Sequence, residues 1–412
     1  MKICLDRNIG GEKYLLIEKD SITALQQNPI TDNADVVFYG TRQFDYLINT
    51  FLKEEEVRTF RFPSEKYIKG FNGIIDDPNK VLWYLALPSH IYNKEIESFS
   101  AKVQAFLNQV NEDYFNAQRE ISFFLSQLKP AYIDTDKFEE CFFDESNLGQ
   151  RATLNTFRPS SKGFAPKVLY TNASTKTGRL RTVFGPDILH LRKDLRSIIS
   201  SRHGDDGSII YLDYKSLEPR TLLAINCMKK GVVKDISGDV YSHFLNELNL
   251  ELPREAVKIS LLSNLYGQSK DKTAQTIKKW VSDPQGFLDE IDHFFQIAKT
   301  KEFLKDEYEN NNCGFIRNFF GRPLYSETSF TLLNYYIQST AADVALMGFS
   351  NIFNKIKDIK MLDVFTPLFI LHDAMIIDMH NDVERHLQKI CKLGEKIKGF
   401  EKFKFDLECS KI

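Results

Sequence analysis

The sequence lacks long apolar runs. No stretch of its 412 residues approaches the roughly eighteen apolar residues that a membrane-spanning helix needs, and the N-terminal segment MKICLDRNIGGEKY contains no apolar signal region. Internal repeats and low-complexity tracts are absent as well. We therefore expect a globular, cytoplasmic protein that has no membrane partner.

Cysteine is scarce and scattered. The six cysteines show neither CxxC pairs nor the spacing of a zinc site, which argues against a disulfide scaffold and against a cysteine-ligated metal centre. We expect reduced thiols at all six positions, which are Cys4, Cys141, Cys227, Cys313, Cys391 and Cys409.

The chain as a whole has almost no net charge. Its formal charge of −2 gives no indication of a polyanionic partner, yet residues 151–203 contain many basic side chains opposed only by Asp187 and Asp194. A phosphate-binding groove requires such a local concentration of cations, although a solvated charged face has the same composition. The basic residues are Arg151, Arg158, Lys162, Lys167, Lys176, Arg179, Arg181, Arg192, Lys193, Arg196 and Arg202.

Hydrophobic residues make up 42% of the chain and aromatic residues 13%, enough for a substantial core in more than one compact unit. The patterns predict strands over KYLLIE, ADVVFYG and GSIIYLDY, and one or two long helices over 93–128. Further helices are predicted over QFDYLINTFLKEEE, SLEPRTLLAINCM, ELPREAVKISLLSNLYG and LLNYYIQSTAADVALMGFSNIF. The C-terminal part predicts a strand–turn–strand unit, a helix over 383–397 and a last strand over KFKFDLE.

The segment PLFILHDAMIID places a charged pair, His372 and Asp373, inside an apolar run. An ionised carboxylate costs several kcal/mol in such surroundings unless another group compensates its charge. Two interpretations fit: a tight turn between two strands, or a metal ion bound at the pair. A second carboxylate, Asp213, ends the predicted strand GSIIYLDY, and the helix that begins at Ser216 carries Glu218 in its first turn.

One predicted helix carries two cations and an aromatic residue on the same face. Arg254, Lys258, Leu262 and Tyr266 follow one another at intervals of four residues, so they form a slowly turning stripe. Neighbouring cations repel each other slightly, and a bound triphosphate would compensate that repulsion. A solvated basic face that ends in a core tyrosine has the same spacing.

Two carboxylates on separate strands and a cationic helix are the parts that two-metal phosphoryl transfer requires. In that chemistry, divalent ions about 3.5–4 Å apart activate an attacking hydroxyl and stabilise the leaving pyrophosphate. A cation of this kind would also explain why Asp373 is tolerated inside an apolar segment.

These motifs, in this order, resemble those of the A-family DNA polymerases related to bacterial DNA polymerase I. Residues 213–220, DYKSLEPR, resemble the first catalytic motif of the family, DYSQIELR. REAVKISLLSNLYG reproduces the RxxxKxxxxxxxYG spacing of the second motif, and HDA at 372–374 resembles the third motif, HDE. TKTGRL, FGR and the segment from Asn334 through TAAD match further family motifs, and the resemblance covers residues 165–412.

The resemblance implies an α+β fold, a right-hand polymerase with a thumb, a palm built on an antiparallel sheet, and helical fingers. We expect the thumb at 86–165, the two parts of the palm at 166–235 and 331–412, and the fingers at 236–330. Residues 1–85 would form a small N-terminal α/β segment, either an exonuclease remnant or an accessory segment. Because the roughly 165 residues before the TGRL segment are too few for a thumb plus a complete exonuclease, and residues 1–80 have no evident carboxylate set for one, we expect no intrinsic proofreading.

The resemblance also implies roles for individual residues. Asp213, Asp373 and the backbone carbonyl of Tyr214 would hold two Mg²⁺ ions, while Lys258 would protonate the leaving pyrophosphate. Glu218 would lie under the sugar and exclude a 2′-hydroxyl. The residues expected to contact an incoming dNTP are Tyr214, Glu218, Tyr241, Arg254, Lys258, Leu262 and Tyr266. The residues expected to contact primer–template DNA are Thr177, Arg179, Gly267, Asn334, Gln338 and His372.

The expected activity is template-directed addition of dNTPs to a primer 3′-end, in a bacterial or phage-infected cell, with a separate exonuclease or a processivity factor as candidate partners. Ala374 in place of an acid and Leu262 in place of an aromatic residue depart from the family pattern. An enzyme like the single-subunit RNA polymerases is one alternative, which Glu218 disfavours. A non-catalytic DNA-binding homologue is another, which the presence of Asp213, Lys258 and Asp373 disfavours.

Overall fold

The structure is a computed structural model of the chain. It describes residues 1–26, 34, 36–38, 60–71, 73–75, 77, 81–230, 236, 238–310, 314–326 and 328–411. The chain divides into two compact units, Met1–Arg119 and Glu120–Ile412. The helix predicted over QFDYLINTFLKEEE lies outside the described residues. Within the described part of the chain, every helix is too short or too polar to cross a membrane.

The N-terminal unit contains a four-stranded mixed sheet. Its strands are β1 (Ile3–Leu5), β2 (Tyr14–Ile17), β3 (Ile22–Leu25) and β4 (Val36–Phe38). The strand order is β3–β2–β1–β4, with β1 antiparallel to β2 and parallel to β4. The helices of this unit are α1 (Arg7–Gly10), α2 (Glu65–Gly70), α3 (Trp83–Ala86) and α4 (Ser89–Gln109). The strands predicted over KYLLIE and ADVVFYG are confirmed as β2 and β4.

A larger set of helices follows from residue 112 onward. These helices are α5 (Glu112–Ser126), α6 (Thr135–Asp144), α7 (Leu148–Asn155), α8 (Leu217–Lys230), α9 (Val240–Glu247), α10 (Arg254–Leu265), α11 (Lys270–Ile277), α12 (Pro284–Phe295), α13 (Ile297–Asn310), α14 (Leu332–Asp358) and α15 (Leu387–Gly394). The helical pattern over 93–128 therefore corresponds to two helices, α4 and α5.

The larger unit is organised around one antiparallel sheet. The strands of the whole unit are β5 (Tyr132–Ile133), β6 (Leu169–Thr171), β7 (Arg181–Phe184), β8 (Ile199–Ser200), β9 (Gly207–Tyr214), β10 (Phe315–Arg317), β11 (Pro323–Tyr325), β12 (Phe365–Leu371), β13 (Ala374–His380) and β14 (Leu407–Lys411). The central sheet has the order β12–β13–β9–β14, and the other strands pair as β5–β8, β6–β7 and β10–β11.

Burial explains why the central strands have nearly continuous apolar sequences. Strand β12 is buried along its whole length, and β13 is buried from Ala374 to Met379. Strands covered on both faces show apolar runs instead of an alternating pattern. The long helix α14, most of whose side chains are buried, packs against α8 and α15.

The C-terminal elements differ from the prediction. The last strand begins only at Leu407, because Phe403 and Phe405 pack with Phe400 in an aromatic cluster and Asp406 pairs with Arg220. The segment predicted as one helix over 383–397 is a 3₁₀ turn, Asn381–His386, followed by the shorter helix α15.

Candidate active site

Strand register brings Asp213 and Asp373 to neighbouring points of the central sheet. Asp213, near the end of β9, pairs with Ala374, the first residue of β13. The backbone N–H of Tyr214 donates to the carbonyl of Asp373 at 3.1 Å. Asp373 lies in a two-residue turn between β12 and β13, in which His372 has a φ of 53°, a left-handed conformation used by tight hairpin turns. The predicted hairpin is confirmed.

Both carboxylates resist ionisation in this position. Burial, together with the nearby charges of Asp373 and Glu408, raises the pKa of Asp213 to about 7. Burial also raises the pKa of Asp373 and lowers the pKa of His372. His372 and Asp373 are exposed to water at the hairpin tip, but the protein atoms around them still reduce the hydration of their charged forms. Glu408 on β14 pairs in register with Asp213 from the other side and forms an ion pair with Lys215 at 2.9 Å.

The donor set fits a magnesium ion. Magnesium prefers oxygen ligands, and two neighbouring carboxylates with raised pKa values are stabilised in their ionised form by a cation. Among the described residues, no group of three or more His, Cys, Asp or Glu side chains could hold a metal ion. An ion held by Asp213 and Asp373 would thus need backbone carbonyl, water or substrate oxygens as its other ligands.

The Tyr214 side chain points away from this site. Its ring is 2% exposed and lies 5.4 Å from the ring of Phe349, and its hydroxyl donates to the carbonyl of Gly394 at 2.6 Å. A methyl group on Gly348 would collide with the same hydroxyl. Only the backbone of Tyr214 could therefore contribute to a nucleotide or metal site.

A cavity of about 260 Å³ opens beside the hairpin tip. It is lined by the start of α8, the end of α10 and the middle of α14, together with residues of other elements. The predicted site residues in its lining are Arg179, Glu218, Tyr241, Leu262, Tyr266, Gln338, His372 and Asp373. Residues that sequence analysis collected from separate motifs thus share one concave surface.

A chain of polar contacts crosses this cavity. Arg179 forms an ion pair with Oε1 of Glu218, and the hydroxyl of Tyr266 donates to Oε2 of Glu218 at 2.8 Å. Burial and the negative charge of Glu218 raise the pKa of Tyr266 to about 12. Because both carboxylate oxygens have partners and the side chain is only 13% exposed, Glu218 is held in one position.

The predicted triphosphate ligands have different surroundings. Arg254 contacts Asp239 through two hydrogen bonds, Nε to Oδ2 at 3.0 Å and Nη2 to Oδ1 at 2.8 Å. Its guanidinium also lies 4.6 Å from the ring centre of Tyr241. Lys258 lines a second concavity of about 550 Å³ together with Gly267, on the surface of α10.

Three segments that matched family motifs meet around a buried ion pair. Arg322 and Asp343, which are 3% and 0% exposed, pair at 3.1 Å. Asn318 donates to Asp343 at 2.7 Å and accepts three backbone N–H groups from its own turn. Gly178 packs so closely on the Arg322 guanidinium that a Cβ there would lie 2.5 Å from it, and its φ is 71°. The preceding residue, Thr177, is buried.

The basic stretch is less free than its composition indicates. Several of its cations contact other residues of the chain in this structure. The contacts are Lys167 with the Ser126 carbonyl, Arg179 with Glu218, Arg192 with Asp194, Arg196 with the Tyr211 hydroxyl, and Arg202 with Asp378.

Sequence analysis missed Asp239, Glu408 and Asn318. Asp239 had a visible signal, since an Asp directly before a helical pattern is a typical N-cap, and it does accept a hydrogen bond from the Ser242 backbone. Glu408 had none, because Asp213 and Lys215 are distant from it in sequence, and the contact of Asn318 with Asp343 also joins residues that are far apart in the chain.

No protein-family model matches the chain, and no curated protein matches its sequence. Among solved structures, the chain is similar to the POL domain of Pol1 from M. smegmatis in complex with DNA primer-template and dNTP. The TM-score is 0.59 at 13% sequence identity, and the match covers 89% of this chain and 80% of that one. The chain therefore has the fold of a DNA polymerase domain, which confirms the predicted α+β class.

Proposed function

We propose that this chain is a template-directed DNA polymerase that adds dNTPs to a primer 3′-end and releases pyrophosphate, without proofreading of its own. The observation that carries the proposal is the pairing of Asp213 with Ala374 in a polymerase fold, which brings two carboxylates together beside a cavity. The similar structure was determined with DNA primer-template and dNTP, which supports the same partners here. The thumb at 86–165, the fingers at 236–330 and the two palm segments are part of the proposal.

Asp213, Asp373 and the Tyr214 carbonyl would hold the Mg²⁺ ions. Such ions, when bound, neutralise charge that develops on the reacting phosphates. Arg254 and Lys258 bind the triphosphate, and Lys258 holds the proton that the pyrophosphate needs when it leaves. Protein contacts to the DNA are made to its backbone and minor groove, because copying any template requires contacts that carry no sequence information.

Glu218 is the proposed sugar selector. Its carboxylate is fixed by Arg179 and Tyr266 within the cavity, so it cannot move aside for a ribose 2′-hydroxyl without losing hydrogen bonds to both. We expect Glu218→Ala to raise the use of rNTPs relative to dNTPs in primer extension. Equal use of both substrates by the unaltered chain would favour the RNA-polymerase alternative.

Primer extension tests the proposal directly. The purified chain, given a labelled primer–template, dNTPs and Mg²⁺, should extend the primer, and Asp373→Asn should reduce extension to background with primer–template affinity nearly intact. Asp363→Asn is the matched control, because Asp363 is an exposed acid just before β12. Absence of Mg²⁺-dependent extension by the unaltered chain would support a non-catalytic homologue instead. Loss of both binding and extension in a folded Asp373→Asn protein would contradict the assigned role.

A further inference from the structure

Phe330 is an aromatic side chain that the protein leaves almost entirely in water. It is 88% exposed, the highest value among the exposed large apolar side chains of the described residues. Single exposed apolar residues are common, but this one lies beside the candidate site and on a fixed turn.

Hydrogen bonds fix the turn that carries Phe330. The residue lies in the 3₁₀ turn Ser329–Thr331, directly before α14. The Thr331 hydroxyl lies 2.7 Å from the Ser326 hydroxyl, which in turn donates to the Thr328 carbonyl at 2.7 Å. The ring is therefore presented to solvent by an ordered backbone.

Phe330 lies just before the helix that carries two predicted DNA contacts. Asn334 and Gln338 are four residues apart on α14, and Phe330 is four residues before Asn334, in the 3₁₀ turn that precedes the helix. Gln338 lines the 260 Å³ cavity.

Phe330 also adjoins the end of the cationic helix. A methyl group placed on Gly267 would lie 3.8 Å from the carbonyl oxygen of Phe330. Gly267 follows Tyr266, whose side chain lines the cavity. The backbone of Phe330 thus adjoins the neighbourhood in which the proposed function puts the nascent base pair.

We propose that Phe330 is a stacking platform for an unpaired template base next to the nascent pair. The inference rests on the proposed polymerase function and adds a specific contact to it. Every base has a π-face, so stacking on an aromatic ring holds single-stranded template without regard to its sequence. A protein-docking surface would need a contiguous apolar patch, whereas the residues next to Phe330 in the chain, Ser329 and Thr331, are both polar.

The experiment compares Phe330→Leu and Phe330→Trp with the unaltered chain. Leucine keeps an apolar side chain but removes the aromatic face, and tryptophan keeps that face. Affinities are measured for a blunt primer–template duplex and for the same duplex with a template overhang of three nucleotides. Fluorescence of 2-aminopurine at the first unpaired template position reports stacking. Phe143→Leu, at an aromatic residue that is 74% exposed elsewhere on the same unit, is the control.

We expect Phe330→Leu to lose roughly fivefold or more of the affinity that the overhang adds, with blunt-duplex affinity unchanged. Phe330→Trp should keep that contribution and the 2-aminopurine quenching. An unchanged overhang contribution in Phe330→Leu overturns the inference, even if dNTP incorporation is normal and the proposed function stands. Loss of self-association in Phe330→Leu with an unchanged overhang contribution would assign the ring to a protein contact. Absence of primer–template binding by the unaltered chain overturns both proposals.

Discussion

The contact between Arg254 and Asp239 predicts that Asp239 competes with the dNTP for the Arg254 side chain. If Arg254 binds the triphosphate, it must first leave Asp239, to which it donates two hydrogen bonds. We therefore predict that Asp239→Asn binds dNTP more tightly than the unaltered chain. Asparagine is suited to this test because it caps helices about as well as aspartate, and Asp239 is the N-cap of α9.

The size of the effect follows from the exposure of the pair. The Arg254 and Asp239 side chains are 44% and 27% exposed, so solvent screens their attraction, and such pairs contribute about 0.2–1 kcal/mol. The two-point geometry puts this pair near the upper end, and about 1 kcal/mol corresponds to a roughly fivefold lower Kd. Removing a negative charge near the bound triphosphate acts in the same direction.

The assay is equilibrium binding of dNTP to a complex with a dideoxy-terminated primer, which separates binding from chemistry. Asp283→Asn is the matched control, since Asp283 caps α12 in the same way, through a hydrogen bond from Gly286. Arg254→Ala should weaken dNTP binding and abolish the difference between aspartate and asparagine at 239. Unchanged or weaker dNTP binding by Asp239→Asn, with normal thermal stability, would refute the reasoning.

Three further predictions concern other parts of the site. The unfolded chain releases the Asp213 proton near its ordinary pKa of 3.8, whereas the folded chain releases it only near a pKa of 7. The free energy of unfolding should therefore fall as the pH rises from 4 to 7. In urea titrations without Mg²⁺, Asp213→Asn should make the free energy of unfolding less dependent on pH. Asp343→Asn leaves the buried Arg322 guanidinium without its carboxylate and should lower the free energy of unfolding by about 3 kcal/mol in urea titrations. Leu262→Phe should lower the KM for dNTP by roughly two- to tenfold in steady-state extension, because a ring packs on a base better than an aliphatic chain.

The parts of the site that sequence analysis predicted are those with a local signal. An apolar run interrupted by His372 and Asp373 has few solutions other than a hairpin, and the four-residue interval from Arg254 to Tyr266 indicates one helix face. Each signal depends on residues within a short window of the chain. The positions of these elements in the fold then follow once the polymerase architecture is inferred.

The orientation of the Tyr214 side chain could have been predicted from its position in the strand. Successive side chains of a strand point to opposite faces, so if Asp213 faces the site, the Tyr214 side chain must face the core. The position of the last strand, in contrast, had no local signal. The aromatic cluster of Phe400, Phe403 and Phe405 and the Arg220–Asp406 pair are tertiary contacts that override the strand pattern of KFKFDLE.

The carboxylate pair depends on main-chain register, so the sequence can diverge wherever it leaves that register unchanged. Asp213 and Asp373 are positioned by the pairing of β9 with β13, and that register is fixed by which apolar residues are buried. A slip of one residue would turn Asp213 to the opposite face and put Tyr214 in its place. Any set of apolar residues that keeps the register keeps the pair, whereas a lining residue such as Leu262 can change without moving it. The register of β9 and β13, more than overall sequence identity, therefore determines whether the two acids meet in this fold.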